Sequence, residues 1–269
     1  MKILECRSIK EKEKLKLKQK INNGIKLAVI QIGDFKENTI YFNSKNKLAM
    51  ELGVELVEIR FSLENNEEEI INKIIELNND DKITGIMIQK PILEQFDYNK
   101  LANYIDYRKD VDVVSNDGQQ LLENGIIPCC AGSILKLFEY YDIDIINKKI
   151  AVIGQSKLVG LPIYNLLKTI TQTILCDSNT KDLKDYISSC DIIITAIGKP
   201  NYFDKEYFNS NQIIIDVGTN YVNGKLVGDV NYEDVKDEVL MITPVPGGIG
   251  QLTPICLYEN LVKLYLQRR

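Results

Sequence analysis

Lys149-Ile150-Ala151-Val152-Ile153-Gly154-Gln155-Ser156-Lys157-Leu158-Val159-Gly160 is the stretch that decides the fold. Four apolar residues in a row, closed by a glycine, predict a buried strand that ends in a tight turn, and a helix follows from about Leu158. In a Rossmann unit that place holds pyrophosphate, because glycine permits close approach and the free N–H groups of the helix start meet the anion. The spacing is not GxGxxG, so the turn alone equally fits a structural bend. Asp177 follows the next predicted strand, Thr173-Ile174-Leu175-Cys176, about twenty residues on, where a carboxylate accepts hydrogen bonds from the adenosine ribose. It also suits a turn or N-cap before Ser178-Asn179-Thr180. Further strands at 192–196 and 213–217 run into Gly198-Lys199-Pro200 and Asp216-Val217-Gly218-Thr219-Asn220, which suit the floor of a cofactor site.

The first half repeats the alternation. Strands are expected at 27–32, 54–59 and 83–88, with helices near 35–52 and 66–79, the second led by Glu67-Glu68-Glu69, which suits the helix dipole. Strand–helix–strand order predicts an α/β fold with mainly parallel sheets. The segment from Pro128 to Asp144 is the joint between two such units, and a last helix is expected at about 252–268, packing back on the first. Tyr41 and Lys45 lie four residues apart on the 35–52 helix and share a face, Gln89 ends a strand, and Asp112 sits in the loop Lys109-Asp110-Val111-Asp112. Strand ends and loops are where open α/β sheets place their sites.

With 269 residues, 45% hydrophobic and 26% charged, the chain reads as a soluble globular protein. A net charge of −5 argues against nucleic acid or an anionic membrane as partner. The mixed-charge run from Lys10 to Lys18 is too polar for a signal peptide or a membrane span. The six cysteines form no CxxC pair and there is no histidine, so no metal site is expected and reduced thiols in a cytoplasmic protein are. Proton transfer must fall to Lys, Tyr, Asp, Glu, Cys or water. Near the end, Thr243-Pro244-Val245-Pro246-Gly247-Gly248-Ile249-Gly250-Gln251-Leu252-Thr253 mixes residues that fix the backbone with residues that free it, and suits either an ordinary loop between a strand and the last helix or main chain laid close to a flat ligand.

In this order the motifs resemble the methylenetetrahydrofolate dehydrogenase/cyclohydrolase family over nearly the whole chain. The match runs Tyr41-Phe42-Asn43-Ser44-Lys45, Gly85 to Gln89, Lys109 to Asp112 and Pro128-Cys129, then Gly154-Gln155-Ser156 with Val159-Gly160 and Pro162. It continues through Asp191 to Pro200, Asp216-Val217-Gly218, Gly228-Asp229-Val230 and Thr243 to Gly250. The resemblance implies two domains around a cleft: a catalytic, folate-binding domain at 1–128, joined by the helix 253–269, and a Rossmann-like domain at 129–252. It implies hydride transfer from 5,10-methylenetetrahydrofolate to NAD or NADP, followed by hydrolysis of the 5,10-methenyl product to 10-formyltetrahydrofolate. It implies that Lys45 is the central catalytic residue, that Gln89 orients it, that Tyr41 stacks on or hydrogen-bonds the folate, and that Asp112 grips the pterin. Pro246, Gly247 and Gly248 then line the folate pocket. Gly154, Gln155, Ser156, Asp177, Ser178, Gly198, Gly218 and Thr219 hold the dinucleotide. A homodimer is implied as well.

The chain departs from the family pattern at several places. The usual GRS reads Gly154-Gln155-Ser156, and the histidine of the usual CHS is Asp177. Both changes point towards NAD, since the arginine expected near a 2′-phosphate is missing and Asp177 repels one. KDVDG ends in Val113, PCTP reads Pro128-Cys129-Cys130-Ala131, and DVGIN has Thr219 in its fourth place. The first two put hydrolysis, the step more sensitive to where water and Lys45 sit, in question and leave an NAD-dependent dehydrogenase alone as an alternative. More distant alternatives are an oxidoreductase of the shikimate-dehydrogenase type and a non-catalytic nucleotide-binding protein on the same scaffold. The first leaves Gln89 and the 243–250 loop without a task, and the joint presence of Tyr41, Lys45, Gln89 and Asp112 argues against the second.

Overall fold

The computed structural model describes residues 2–21 and 24–268. Its chain separates into two compact units, one of residues 13–129 with 254–269, the other of residues 1–12 with 130–253. The strands, in chain order, are β1 (Lys2–Ile3), β2 (Lys26–Ile32), β3 (Glu55–Phe61), β4 (Gly85–Gln89), β5 (Ile150–Ile153), β6 (Thr173–Cys176), β7 (Ile192–Thr195), β8 (Ile213–Asp216), β9 (Asn220–Val222), β10 (Lys225–Val227) and β11 (Met241–Ile242).

In the unit built on 13–129, a three-stranded sheet runs in the order β3-β2-β4, with both pairings parallel. Its central strand, β2, is buried along all but its first residue, whereas β3 has only exposed and half-buried positions, as an edge strand does. The helix Glu67–Asn79 starts in a capping box: Asn66 accepts from the Glu69 amide and the Glu69 carboxylate accepts from the Asn66 amide. Its Ile70, Ile74 and Leu77 pack with Ile30, Ile86 and Ile88. On the other face, Phe42, Leu48 and Ala49 of the helix Lys36–Leu52 join Leu257, Tyr258 and Leu261 of the helix Thr253–Gln267 in a second core.

In the other unit a parallel sheet runs β1-β11-β8-β7-β5-β6. Strands β5, β7 and β8 are buried throughout, so their continuous Ile/Val runs mark the middle of the sheet. Counted from β5, the first four strands stand in the order 2-1-3-4, which puts a topological switch point between β5 and β7. The hairpin β9–β10 turns at Asn223-Gly224, both in the left-handed region, as a two-residue hairpin requires.

Residues 1–12 depart from the expected 1–128 grouping. The Lys2 amide donates to Leu240 O, that of Leu4 to Ile242 O and that of Cys6 to Gly247 O, so the chain start completes the sheet of the later unit. Leu4 and Cys6 are buried there. Among the described residues no helix is long and apolar enough to cross a membrane.

Candidate active site

Four of the expected site residues, Tyr41, Lys45, Gln89 and Asp112, fall in the unit built on 13–129. The Lys36–Leu52 helix turns Phe42 and Ala49 into the core and leaves Tyr41 and Lys45 half-buried on the flank. Lys45 Nζ donates to Gln89 Oε1 at 3.0 Å, and Gln89 Nε2 donates to Asn38 O at 2.7 Å. Asn38 is itself buried and its Nδ2 donates to Pro91 O at 2.8 Å. The lysine carbonyl is tied too, by the Tyr258 hydroxyl at 2.8 Å. Lys45 is thus oriented through its side chain and its main chain, and its ammonium lies 5.7 Å from the Tyr41 ring centre. Lys47 is exposed.

Asp112 is presented by a loop organised around Asp110, a fully buried carboxylate that accepts from the amides of Asp112, Val114 and Ser115 at 3.2, 2.8 and 2.8 Å. Burial pushes the Asp110 carboxyl up to about 6, against the pull of those donors. From the Thr253–Gln267 helix, Asn260 Nδ2 donates to Val111 O and Ile127 O at 2.9 and 2.8 Å, pinning the loop to the segment before Cys129. Burial raises the Asp112 carboxyl above its ordinary range, with a hydrogen bond from the Cys129 thiol and the Lys45 charge pulling the other way. Burial likewise lowers the pKa of Lys45, and the charges of Asp112 and Cys129 offset part of this. Lysine, carboxylate and thiol therefore form one electrostatic cluster around an amine that gives up its proton more readily than a solvated lysine.

Val113, in the place where the family pattern has glycine, has φ 58°. The other described non-glycine residues at positive φ are Asp142, Asp182, Asn201 and Asn223, which tolerate this region; a β-branched residue does not. The loop keeps the glycine conformation without the glycine.

Gly154, Gln155, Ser156, Asp177, Ser178, Gly198, Gly218, Thr219, Pro246, Gly247 and Gly248 all fall in the other unit. Gly154 and Gly198 follow β5 and β7, on the two sides of the switch point. The turn after β5 is a cradle that side chains would fill: a Cβ on Gly154 would come 2.2 Å from Ala196 O, and one on Gly160 1.9 Å from Gly154 O. Gln155, Ser156 and Lys157 are exposed above it, and the helix Gly160–Leu167 begins beyond. This arrangement fits a dinucleotide. Asp177 serves two purposes: Oδ1 accepts from the Asn179 amide at 2.9 Å and Oδ2 from Gln155 Nε2 at 3.0 Å. The Asn179 amide, first among several donors, holds the Asp177 pKa below the ordinary carboxylate value. In the 243–253 loop, the Gly247 carbonyl accepts from Cys6 and the Lys10 ammonium donates to Gln251 Oε1 at 3.3 Å.

Sequence reasoning passed over Asn38, Asp110, Cys129, Tyr258 and Asn260 as contributors to the site. Cys129 stood inside a matched motif without a role. Asn38 and Tyr258 act through main-chain carbonyls, which leave no trace in a single sequence.

The chain is similar to known proteins along nearly its whole length. Residues 4–112 match the family model of the tetrahydrofolate dehydrogenase/cyclohydrolase catalytic domain, and residues 128–269 that of its NAD(P)-binding domain. The bifunctional protein FolD of Clostridium botulinum is 38% identical over 259 residues, covering 94% of this chain and 92% of its own. The crystal structure of the bifunctional enzyme FolD, methylenetetrahydrofolate dehydrogenase/cyclohydrolase, from Campylobacter jejuni covers 100% of both chains at 32% identity, with a TM-score of 0.93. Shikimate dehydrogenase from Aquifex aeolicus, at 14% identity, a TM-score of 0.54 and coverage of 93% of this chain and 100% of its own, shares the fold alone. With both family models matched in order and a relative this similar along nearly its full length, the chain belongs to the tetrahydrofolate dehydrogenase/cyclohydrolase family.

Proposed function

We propose that this protein oxidises 5,10-methylenetetrahydrofolate with a nicotinamide dinucleotide and hydrolyses the 5,10-methenyl product to 10-formyltetrahydrofolate. The observation that carries the reading is the chain Lys45 Nζ–Gln89–Asn38 O, beside Asp112 and the Cys129 thiol. The nicotinamide, when bound, accepts the hydride that leaves the methylene bridge. Lys45 in its neutral form then takes a proton from the water attacking the methenyl carbon. The resulting ammonium returns a proton to the ring nitrogen as the carbon–nitrogen bond breaks, the hydroxyl on the carbon releases its remaining proton to solvent as it becomes the formyl carbonyl, and the formyl group stays on the other nitrogen. Gln89 Oε1 keeps the amine aimed through both steps, Asp112 accepts from the donor edge of the pterin, and Tyr41 offers its ring to the folate. Pro246, Gly247 and Gly248 line the folate with main chain.

For the cofactor, Gly154, Gln155 and Ser156 receive the pyrophosphate, Asp177 and Ser178 the ribose, and Gly198, Gly218 and Thr219 the nicotinamide end. NAD is preferred over NADP, because an ionised Asp177 faces the place a 2′-phosphate takes and Gln155 brings no positive charge to offset it. The protein acts as a cytoplasmic homodimer. A second reading, dehydrogenase activity alone, draws on one observation: Val113 strains the loop that carries Asp112.

One spectrophotometric assay addresses both reactions and the choice of dinucleotide. Methylenetetrahydrofolate supplied with NAD and, in parallel, with NADP is expected to reduce NAD more efficiently. The methenyl product is expected to decay faster than in the absence of enzyme. Equal or better efficiency with NADP rejects the cofactor preference, and decay at the uncatalysed rate leaves the dehydrogenase alone. No reduction of either dinucleotide rejects the proposal.

A further inference from the structure

Two matched motifs, Asp216-Val217-Gly218 and Gly228-Asp229-Val230, have buried aspartates with no task in the reaction above. Asp229 is 0% exposed. Its Oδ2 accepts from the amides of Ile197 and Gly198 at 2.6 and 3.2 Å, its Oδ1 from the Lys199 amide and Asn220 Nδ2, both at 3.0 Å. Three consecutive amides beyond β7 thus converge on one carboxylate. Asp216, the last residue of β8, is 3% exposed. Its Oδ1 accepts from Thr195 Oγ1 and from the amides of Gly218 and Asp229 at 3.1, 2.9 and 3.1 Å, and its Oδ2 from the Val230 amide at 2.9 Å. The two act in series: Asp216 fixes the main chain of Asp229, and the Asp229 side chain fixes the 197–199 turn.

The main chain is shaped to admit them. A Cβ on Gly218 would come 2.4 Å from Asp229 Cγ, and one on Gly228 would come 1.9 Å from Asp216 Oδ2. Burial, then the charge of Asp229, pushes the Asp216 carboxyl up to about 6, so this carboxylate is costly to bury. Apolar residues could close a sheet end without that cost. What they cannot do is hold six main-chain amides at fixed positions. Successive amides gathered into a concavity commonly bind phosphate; here the protein's own carboxylate fills it. The turn after β7 is therefore closed to the pyrophosphate, which is left the Gly154–Gly160 turn across the switch point.

We infer that Asp216 and Asp229 are positioning residues for hydride transfer, holding the Gly198 and Gly218 main chain where the nicotinamide end seats and taking no part in the hydrolysis. The inference rests on the assignment of Gly198 and Gly218 to the cofactor made above. The two reactions separate a positioning role from a structural one, since only the first consumes the dinucleotide.

The test is Asp229→Asn in the full chain, an isosteric change whose amide donors face amide donors. NAD binding to enzyme without folate, measured by calorimetry, is expected to weaken at least tenfold. The KM for NAD should rise in parallel, while hydrolysis of added methenyltetrahydrofolate stays within twofold of the wild type. Loss of both activities in a folded variant, or unchanged NAD affinity, overturns the inference. Should Asp229→Asn not fold, Asn220→Ala, which removes one of the donors to Asp229, is expected to give the same split at three- to tenfold; an equal loss of both activities there overturns it as well. NAD calorimetry needs no folate, so its outcome is distinguishable from a failure of the proposed reaction.

Discussion

At the scale of single residues, Lys45 carries the sharpest expectations. Lys45→Met removes the proton acceptor and keeps the bulk, so hydrolysis should fall by about 100- to 10,000-fold with the fold intact. Unchanged turnover in an assay of methenyltetrahydrofolate decay would sink the role. The pH dependence has a definite sign. Neutral lysine is the active form, so the enzymatic rate, corrected for uncatalysed decay, should rise with pH. Because burial lowers the pKa of Lys45, the plateau should be reached below the ordinary lysine range. A wild-type profile that falls as pH rises contradicts the assignment. Val113 is the second test. The left-handed conformation costs a β-branched residue about 1–2 kcal/mol. Replacing it by glycine removes that strain but adds about 0.5–1 kcal/mol of chain entropy and loses a half-buried side chain. The effects oppose each other, so Val113→Gly should lie within about 1 kcal/mol of the wild type in denaturant unfolding. Val111→Ala, at a fully buried neighbour with no strain to relieve, should cost more. A Val113→Gly variant destabilised as much as Val111→Ala would show that the loop is not strained at that residue.

At the scale of elements, legibility followed the length of the apolar run. The strands at 27–32 and 150–153 stood out because buried parallel strands are continuous in Ile, Leu and Val, and Glu67-Glu68-Glu69 marked a helix start that the structure refines to a capping box on Asn66. The places of Lys45 on a helix and of Gln89 at a strand end were legible for the same local reason, whereas their roles came only with the family resemblance. Two-residue strands have no such signature. Lys2–Ile3 pairs with Met241–Ile242 across almost the whole chain, and nothing local announces it. The Asn223-Gly224 hairpin did carry its usual signal, in a segment read only for its glycine motifs. Strand β1 yields a prediction of its own. Deleting residues 2–6 removes three main-chain hydrogen bonds to 240–247 and the burial of Leu4. The combined loss is about 3–5 kcal/mol. Hydrogen exchange should quicken at 240–248 and leave Lys26–Ile32 and Gly85–Gln89 protected. Loss of protection in β2 and β4 instead would place the chain start in the other unit, as the sequence alone suggested.

At the scale of the molecule, the two activities make one set of residues check another. Lys45, Gln89 and Asp112, the side chains proposed to act in hydrolysis, lie in the unit built on 13–129, and the dinucleotide turns lie in the unit built on 130–253. A ligand that binds only the folded state stabilises it by mass action, by about 4 kcal/mol at a thousandfold excess over its dissociation constant. NAD should therefore raise the melting temperature more than NADP at equal concentration, because the ionised Asp177 opposes a 2′-phosphate and Gln155, its hydrogen-bond partner, supplies no compensating charge. The same argument predicts a reversal. Asp177→Ser combined with Gln155→Arg removes the repulsion and adds a bidentate phosphate donor, so NADP should then give the larger shift. Since the chain has no tryptophan, calorimetry or circular dichroism is the suitable readout. Hydrolysis of methenyltetrahydrofolate by the double variant should be unaltered, for that step consumes no dinucleotide. A double variant that still favours NAD would mean that the two residues shape the Asp177–Thr180 turn without choosing the cofactor, and that the choice is made elsewhere along the 130–253 unit.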